Sequence, residues 1–221
     1  MTVFADPIYS DPGSVGSTRS LVPLGDLSPL PGTAVEADIL EELGEAQGFR
    51  VNRHTRGEAS RDELFRSSDT GELRESRYLH FATHGHLAPQ DARLSGLVLS
   101  VVNEKGEEVN AFLRLVDIYR LDLDADLVVL SACQTGLGTI REGEGLQGLY
   151  QGFMMAGSRA VLNTLWSIDD DGTAAFMRYF YDSLLSGKEP KEALSEAQQA
   201  MARSERWSAP VYWAGFQLVS R

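Results

Sequence analysis

A histidine and the only cysteine of the chain each follow a short apolar segment of the sequence. His84 ends the segment YLHFATH (78–84), and Cys133 follows the segment LVVLSA (127–132), 49 positions later (133 − 84). Gly85 comes directly after the histidine and permits close approach of the backbone to a bound group. A thiol and an imidazole delivered from neighbouring strand ends are the minimum equipment for nucleophilic catalysis by cysteine. This spacing predicts a Cys–His catalytic dyad.

Charge and composition restrict the partners and the compartment. The chain has 221 residues with 20 basic and 32 acidic side chains, a net charge of −12, which argues against a nucleic-acid partner. A single cysteine cannot form an internal disulfide, so a reducing compartment is expected. The first residues lack the features of a signal peptide, and no apolar run approaches the ~18 residues of a membrane span. A cytoplasmic protein without a membrane partner is therefore predicted.

Strand and helix patterns alternate along the chain and predict a single α/β domain over residues 1–221, in which residues 1–32 are largely loop. The pattern is typical of a mostly parallel sheet with helices on both faces, where active sites lie beyond the carboxyl ends of the strands. The predicted strands are 49–54, 77–83, 95–102, 127–132, 160–166 and 213–219. The predicted helices are 34–47, 60–67, 113–119, 145–156, 172–185 and 190–203, the first with Thr33 as its N-cap and Glu36 completing a capping box.

Two further histidines lie beside His84. His80 falls inside the apolar run and is interpreted as structural, since side chains alternate along a strand. The sequence from Thr83 to His86 looks like the opening of the metallo-β-lactamase motif T-H-x-H-x-D-H, but Ala88 and Pro89 replace its Asp and its last His. A catalytic zinc usually needs three protein ligands. No metal and no cofactor are therefore predicted.

Two other segments have more than one interpretation. The glycine-rich stretch 136–145 lacks the Lys-Ser/Thr pair of a phosphate-binding loop, so it is interpreted as an active-site loop. Trp166 ends the predicted strand 160–166, and Asp169 and Asp170 follow it. Acidic residues there favour capping of the next helix, yet an aromatic side chain and carboxylates at a third strand exit are also suited to substrate binding. These three residues are the predicted substrate contacts, with helix capping as the alternative.

Six segments, taken in order, resemble the CHAT domain family of caspase-like peptidases, in the clan of caspases, metacaspases and separases. The resemblance runs almost from end to end. The segments are DP (6–7) with LPGT (30–33), HFATHG (80–85), LSACQTGLG (130–138), GEG (143–145) with AGS (156–158), LWSIDD (165–170) and YWAGF (212–216).

The resemblance implies a caspase-like three-layer fold and a His84/Cys133 dyad in a cysteine endopeptidase that acts on protein or peptide substrates. The oxyanion donors are then predicted to be the backbone N–H groups of Gly85 and Cys133. Ser131 stands where metacaspases carry an Asp that helps to bind a basic P1 residue. Family domains often follow TPR repeats, so a TPR-type or other regulatory partner is a further expectation. The alternative is a non-catalytic regulatory or interaction module that keeps the fold.

Overall fold

The structure is a computed structural model, and it describes residues 1–9, 27–86, 95–131 and 144–221, except for the side chains of residues 144–148. The strands are β1 (Thr2–Pro7), β2 (Asn52–Arg56), β3 (Tyr78–Ala82), β4 (His84–His86), β5 (Gly96–Val98), β6 (Phe112–Arg114), β7 (Leu127–Leu130), β8 (Ala160–Thr164) and β9 (Phe216–Ser220). The helices are α1 (Pro31–Ala46), α2 (Arg61–Asp69), α3 (Glu72–Glu75), α4 (Leu115–Ile118), α5 (Glu144–Ala156), α6 (Asp170–Leu185) and α7 (Pro190–Arg203), with a 3₁₀ turn at Pro210–Tyr212.

The central sheet has six strands in the order β2-β1-β3-β7-β8-β9. The pairs among β2, β1, β3, β7 and β8 are parallel, and β9 runs antiparallel to β8 at one edge. Strands β4, β5 and β6 form a separate antiparallel sheet of three strands. The predicted α/β class, with a mostly parallel central sheet, is confirmed.

Two apolar cores lie on opposite faces of the central sheet, because successive side chains of a strand point to opposite faces. In β3, Tyr78 and Ala82 belong to the core under α1, α6 and α7, whereas Leu79 and Phe81 belong to the core under α2 to α5. All four side chains are almost completely buried. A strand that is apolar on both faces is typical of a parallel sheet covered by helices on both sides.

The structure places a strand within residues 1–32, a segment that was predicted to be largely loop. Thr2–Pro7 form β1 between β2 and β3, and Val3, Phe4 and Ala5 are completely buried. This strand was not predicted, because its apolar run is short and turn-forming residues follow it directly. Helix α1 also begins earlier than predicted, with Leu30 rather than Thr33 as its N-cap. The hydroxyl of Thr33 donates to the Leu30 carbonyl at 2.7 Å and accepts from the Asp6 N–H at 3.1 Å, and the N-cap residue makes no side-chain cap hydrogen bond at the helix start.

The region after β3 differs from the prediction as well. The predicted strand 77–83 ends at Ala82, and the chain then enters the small sheet, whose first strand begins at His84. The predicted helix 113–119 is shorter, because its first residues form β6. The helix predicted over 190–203 is confirmed, and the last strand begins three residues later and ends one residue later than predicted.

Candidate functional site

His84 lies at the point where the chain leaves the central sheet. β3 ends at Ala82, Thr83 connects the two sheets, and His84 pairs with Val98 in the small sheet. The backbone that carries the imidazole is therefore held by strand pairing in β3 and again in β4. The imidazole itself lies beyond the carboxyl end of a central strand. His84 is only 2% exposed.

One nitrogen of the His84 ring is held by a backbone carbonyl. Nε2 lies 2.8 Å from the carbonyl oxygen of Ser28, which can only accept, so Nε2 carries the proton. Nδ1 is buried and has no hydrogen-bond partner among the described residues. In the neutral ring, Nδ1 is then the unprotonated nitrogen and can take a proton from a neighbouring group. This is the tautomer that a general base requires.

Tyr9 fixes the backbone of the same histidine. The N–H of His84 donates to the Tyr9 hydroxyl at 2.9 Å, and the two rings lie 4.6 Å apart between their centroids. Burial raises the pKa of Tyr9, opposed in part by this hydrogen bond, so the hydroxyl stays protonated. Tyr9 therefore positions the imidazole without adding a charge.

Burial is the largest influence on the pKa of His84 and lowers it below its ordinary value. The hydrogen bond to Ser28 and the negative charge of Asp170 act in the opposite direction. The imidazole is thus neutral at physiological pH. It is suited to accept a proton, and Asp170 would favour the imidazolium once it forms.

Cys133 lies outside the described residues, two positions beyond Ser131. Ser131 is the last described residue before it. Its N–H donates to the Phe81 carbonyl at 2.9 Å, so the chain leaves β7 beside the end of β3. The hydroxyls of Ser131 and Thr164 are buried and have no hydrogen-bond partner among the described residues. Leu130 of β7 pairs with Asn163 of β8. Ser131 and Thr164 come directly after these two residues and are therefore neighbours at the carboxyl ends of the strands. Buried polar groups are normally paired, so these two hydroxyls, which lack a partner in the described part of the chain, make this edge a candidate site.

The three predicted substrate contacts have different surroundings. Asp169 is the N-cap of α6 and accepts from the Gly172 N–H at 2.9 Å, which is the capping alternative. Asp170 accepts weakly from the Gly32 N–H at 3.4 Å. Trp166 is 36% exposed, and its indole N–H donates to the Val211 carbonyl at 2.8 Å. Their role in substrate binding stays a prediction.

The remaining predicted site features lie close to His84. Gly85 is paired with Leu97 in the small sheet, and its role as an oxyanion donor stays a prediction. His86 contacts the edge of the Phe112 ring, with the ring centroids 5.4 Å apart. In the described part of the chain, no three His, Cys, Asp or Glu side chains are grouped so as to hold a metal ion.

The CHAT domain model matches residues 3–221, almost the whole sequence. The chain belongs to the CHAT domain family. Its fold is similar to that of caspase-1 from Spodoptera frugiperda, with a TM-score of 0.53 and 12% identity over 99% of this chain and 84% of the other. It is also similar to the Arg-specific cysteine proteinase gingipain R, with a TM-score of 0.52 and 9% identity over 99% of this chain and 45% of the other. This CHAT domain therefore has a fold like that of cysteine peptidases.

A human protein, tetratricopeptide repeat protein 28, is 35% identical to this CHAT domain over 107 residues. The match covers 48% of this chain and 4% of that protein, so the chain spans only a small part of its relative. Within the described ranges, no helix has the length and apolarity needed to cross a membrane.

Sequence reasoning missed Tyr9 and Ser28. Both lie in or beside the segment predicted as loop, more than 50 positions from His84. Ser28 acts through its backbone carbonyl, which any residue could supply, so its side-chain type carries no signal. The side chain of Tyr9 gives only a weak signal, because it is a lone aromatic residue in a polar stretch.

Proposed function

We propose that this CHAT domain is a cysteine endopeptidase in which Cys133 is the nucleophile and His84 the general base. The observation that carries the proposal is the state of the His84 ring. Nε2 is bound to the Ser28 carbonyl, and Nδ1 is buried and unpaired among the described residues. A histidine with a purely structural role would be expected to have both nitrogens satisfied, as His80 has.

Chain connectivity supports the pairing of the two residues. The Ser131 N–H is bonded to the Phe81 carbonyl, so the chain leaves β7 beside the end of β3. Two further residues of extended chain span at most about 7 Å. The position of Cys133 in the sequence is therefore compatible with contact to an imidazole that follows the neighbouring strand.

The proposed reaction has two half-reactions. Nδ1 of His84 takes the proton of the Cys133 thiol, and the thiolate adds to the carbonyl carbon of the scissile peptide. The backbone N–H groups of Gly85 and Cys133 bind the oxyanion of the tetrahedral intermediate. His84 then gives its proton to the leaving amine, and a thioester remains on Cys133. Water, deprotonated by His84, attacks the thioester, and the acid product leaves with the thiol restored.

Labelling of Cys133 tests the proposal. A peptide carrying an electrophilic carbonyl group should alkylate Cys133 in the native protein much faster than in the denatured protein, because only the native state places His84 beside the thiol. His84→Ala should remove this difference while leaving the chain folded. The chain has one cysteine, so mass spectrometry of the intact protein reports this site alone.

Peptide cleavage completes the test. Cys133→Ala and His84→Ala should each abolish turnover, and the double variant should lose no more than Cys133→Ala, because the two side chains act as one unit. Wild-type turnover in Cys133→Ala would refute the mechanism. Equal labelling of native and denatured protein, together with no cleavage of any peptide, would favour the non-catalytic module.

A further inference from the structure

A buried polar network lies beneath His84, in the core formed by α1, α6 and β3. Nε2 of His80 is 3.2 Å from Oε2 of Glu36, and Nδ1 is 3.0 Å from the hydroxyl of Tyr181. Glu36 is 2% exposed and the other two side chains are completely buried. The proposed reaction uses none of the three. We call these three residues the Glu36–His80–Tyr181 network.

The proton positions in the network follow from its partners. The Glu36 carboxylate can only accept, so Nε2 of His80 is the donor to it. Burial, and after it the charge of Glu36, raises the pKa of Tyr181 well above its ordinary value. The hydroxyl is therefore protonated and can donate to Nδ1 of His80. Each ring nitrogen of His80 is satisfied in this arrangement.

Stability alone does not account for such a network. Removing a carboxylate from water is costly, and apolar side chains of similar volume often replace a buried ionic group at no loss of stability. The surrounding core is apolar and includes Leu40, Val129 and Phe180. Hydrogen bonds are directional, so they fix the position of α1 and α6 relative to β3, which apolar contacts alone would leave adjustable. The network therefore determines the geometry of these three elements.

The elements joined by the network are the same ones that surround His84. Glu36 is on α1, and Ser28, whose carbonyl holds the imidazole, lies just before that helix. Tyr181 is on α6, whose first residue is Asp170. His80 is in β3, four residues before His84. A shift of α1 along β3 would carry the Ser28 carbonyl away from Nε2 of His84.

We infer that Glu36, His80 and Tyr181 are positioning residues, which set α1 against β3 so that the Ser28 carbonyl holds His84 in its Nε2–H tautomer. The network acts through Ser28 and contacts no reacting atom. Its effect on the imidazole is independent of catalysis. Its effect on the reactivity of Cys133 rests on the proposed function.

Ring-nitrogen NMR of the whole chain measures the tautomer directly. The chain has four histidines, so each ring can be assigned by substitution. In the wild type we expect the Nε2–H form of His84. Glu36→Leu should populate the Nδ1–H form and slow the labelling of Cys133 about tenfold or more, since small misplacements of a catalytic group have effects of this order. Glu36→Gln keeps an oxygen acceptor for Nε2 of His80 and should behave like the wild type.

A matched control separates positioning from stability. The hydroxyls of Thr2 and Ser76 form another buried hydrogen bond, at 2.6 Å and at the opposite end of the sheet. Thr2→Val should lower the melting temperature without changing the His84 tautomer or the labelling rate. Wild-type ring shifts of His84 in folded Glu36→Leu would overturn the inference, as would an equal change in Glu36→Gln or Thr2→Val.

A milder variant can be used if Glu36→Leu does not fold. Tyr181→Phe removes one hydroxyl and should also raise the Nδ1–H population of His84; unchanged ring shifts in this variant would overturn the inference in that case. The two proposals can fail separately. An Nε2–H ring that depends on Glu36, in a protein whose Cys133 shows no enhanced labelling, would refute the peptidase and support the positioning role.

Discussion

The carboxylate of Asp170 accepts a hydrogen bond from the N–H of Gly32 at 3.4 Å and so links the first turn of α6 to the first turn of α1. A Cβ atom on Gly32 would lie 2.5 Å from the Cβ of Asp170, so the two helices approach closely only because residue 32 is glycine. Asp170 is therefore both a contact between helices and a negative charge near His84.

Removal of this charge should shift the titration of His84. Burial lowers the pKa of His84, and the Asp170 carboxylate opposes that effect. Asp170→Asn should therefore lower the pKa further. The imidazole then stays neutral to lower pH, and the acid limb of the pH profile for Cys133 labelling should move to lower pH. Histidine NMR titration measures the same shift without any substrate.

Asp169→Asn is the matched control for this prediction. Asn is itself a good N-cap and keeps the bond to the Gly172 N–H, so the titration of His84 and the stability should change little. The same pair of variants tests the predicted substrate role. If either carboxylate lines the P1 pocket, its Asn variant should lower kcat/KM for Arg and Lys at P1 far more than for Leu or Met.

Most of the sheet could be predicted from the sequence, because its central strands are apolar on both faces and end at turn signals. The predicted bounds of β7 and β8 lie within two residues of the observed ones. β1 was missed because its apolar run is short and is followed at once by residues typical of loops. The split after Ala82 was missed because the pairing of His84 with Val98 is a contact between distant segments.

The sequence predicts only those residues of the candidate site whose role depends on their own side chain. His84 and Cys133 stand out by residue type and position. Ser28 contributes a carbonyl group and Tyr9 approaches from 75 residues away, so neither has a local pattern that marks it. The buried partners of His80 were likewise out of reach, since Glu36 fitted a helix-capping pattern that the structure does not form.

Tyr9→Phe should weaken both the fold and the site. The change removes the acceptor of the His84 N–H and leaves a buried donor unpaired. Such a loss costs about 1–3 kcal/mol. The free energy of unfolding should fall by this amount in urea denaturation, and the labelling rate of Cys133 should fall under conditions where the variant is folded. A stability equal to that of the wild type would show that another group accepts the hydrogen bond.

Asp126, which directly precedes the central strand β7 at the end of the sheet opposite to His84, should contribute stability in a pH-dependent way. Burial alone would raise its pKa, but hydrogen bonds from Arg77 and Arg159 outweigh burial and lower the pKa. A lowered pKa in the folded state means that the contribution is present above the unfolded pKa and is lost as the pH falls through the folded value. Asp126→Asn should cost about 1 kcal/mol at neutral pH, because both arginines are largely exposed.

Denaturant melts at several pH values check this prediction. The difference between Asp126→Asn and the wild type should shrink as the pH approaches and passes below the ordinary range of a carboxyl pKa. A difference that is constant with pH would mean that lost packing, rather than charge, causes the destabilisation. The labelling rate of Cys133 should be unchanged in this variant.

Two glycine substitutions separate helix placement from backbone strain. Gly32→Ala places a methyl group against Asp170 and should force α1 away from α6, at a cost of about 1–3 kcal/mol for overpacking. Gly48 has a φ of +76°, and the space that a methyl group would take there is open to 4 Å, so Gly48→Ala should cost about 1–2 kcal/mol through strain alone. The two variants should therefore lose similar stability. Only Gly32→Ala displaces the segment that carries the Ser28 carbonyl, and it alone should slow the labelling of Cys133 and change the His84 ring shifts. Equal labelling rates in the two folded variants would mean that the spacing of α1 and α6 does not control the imidazole.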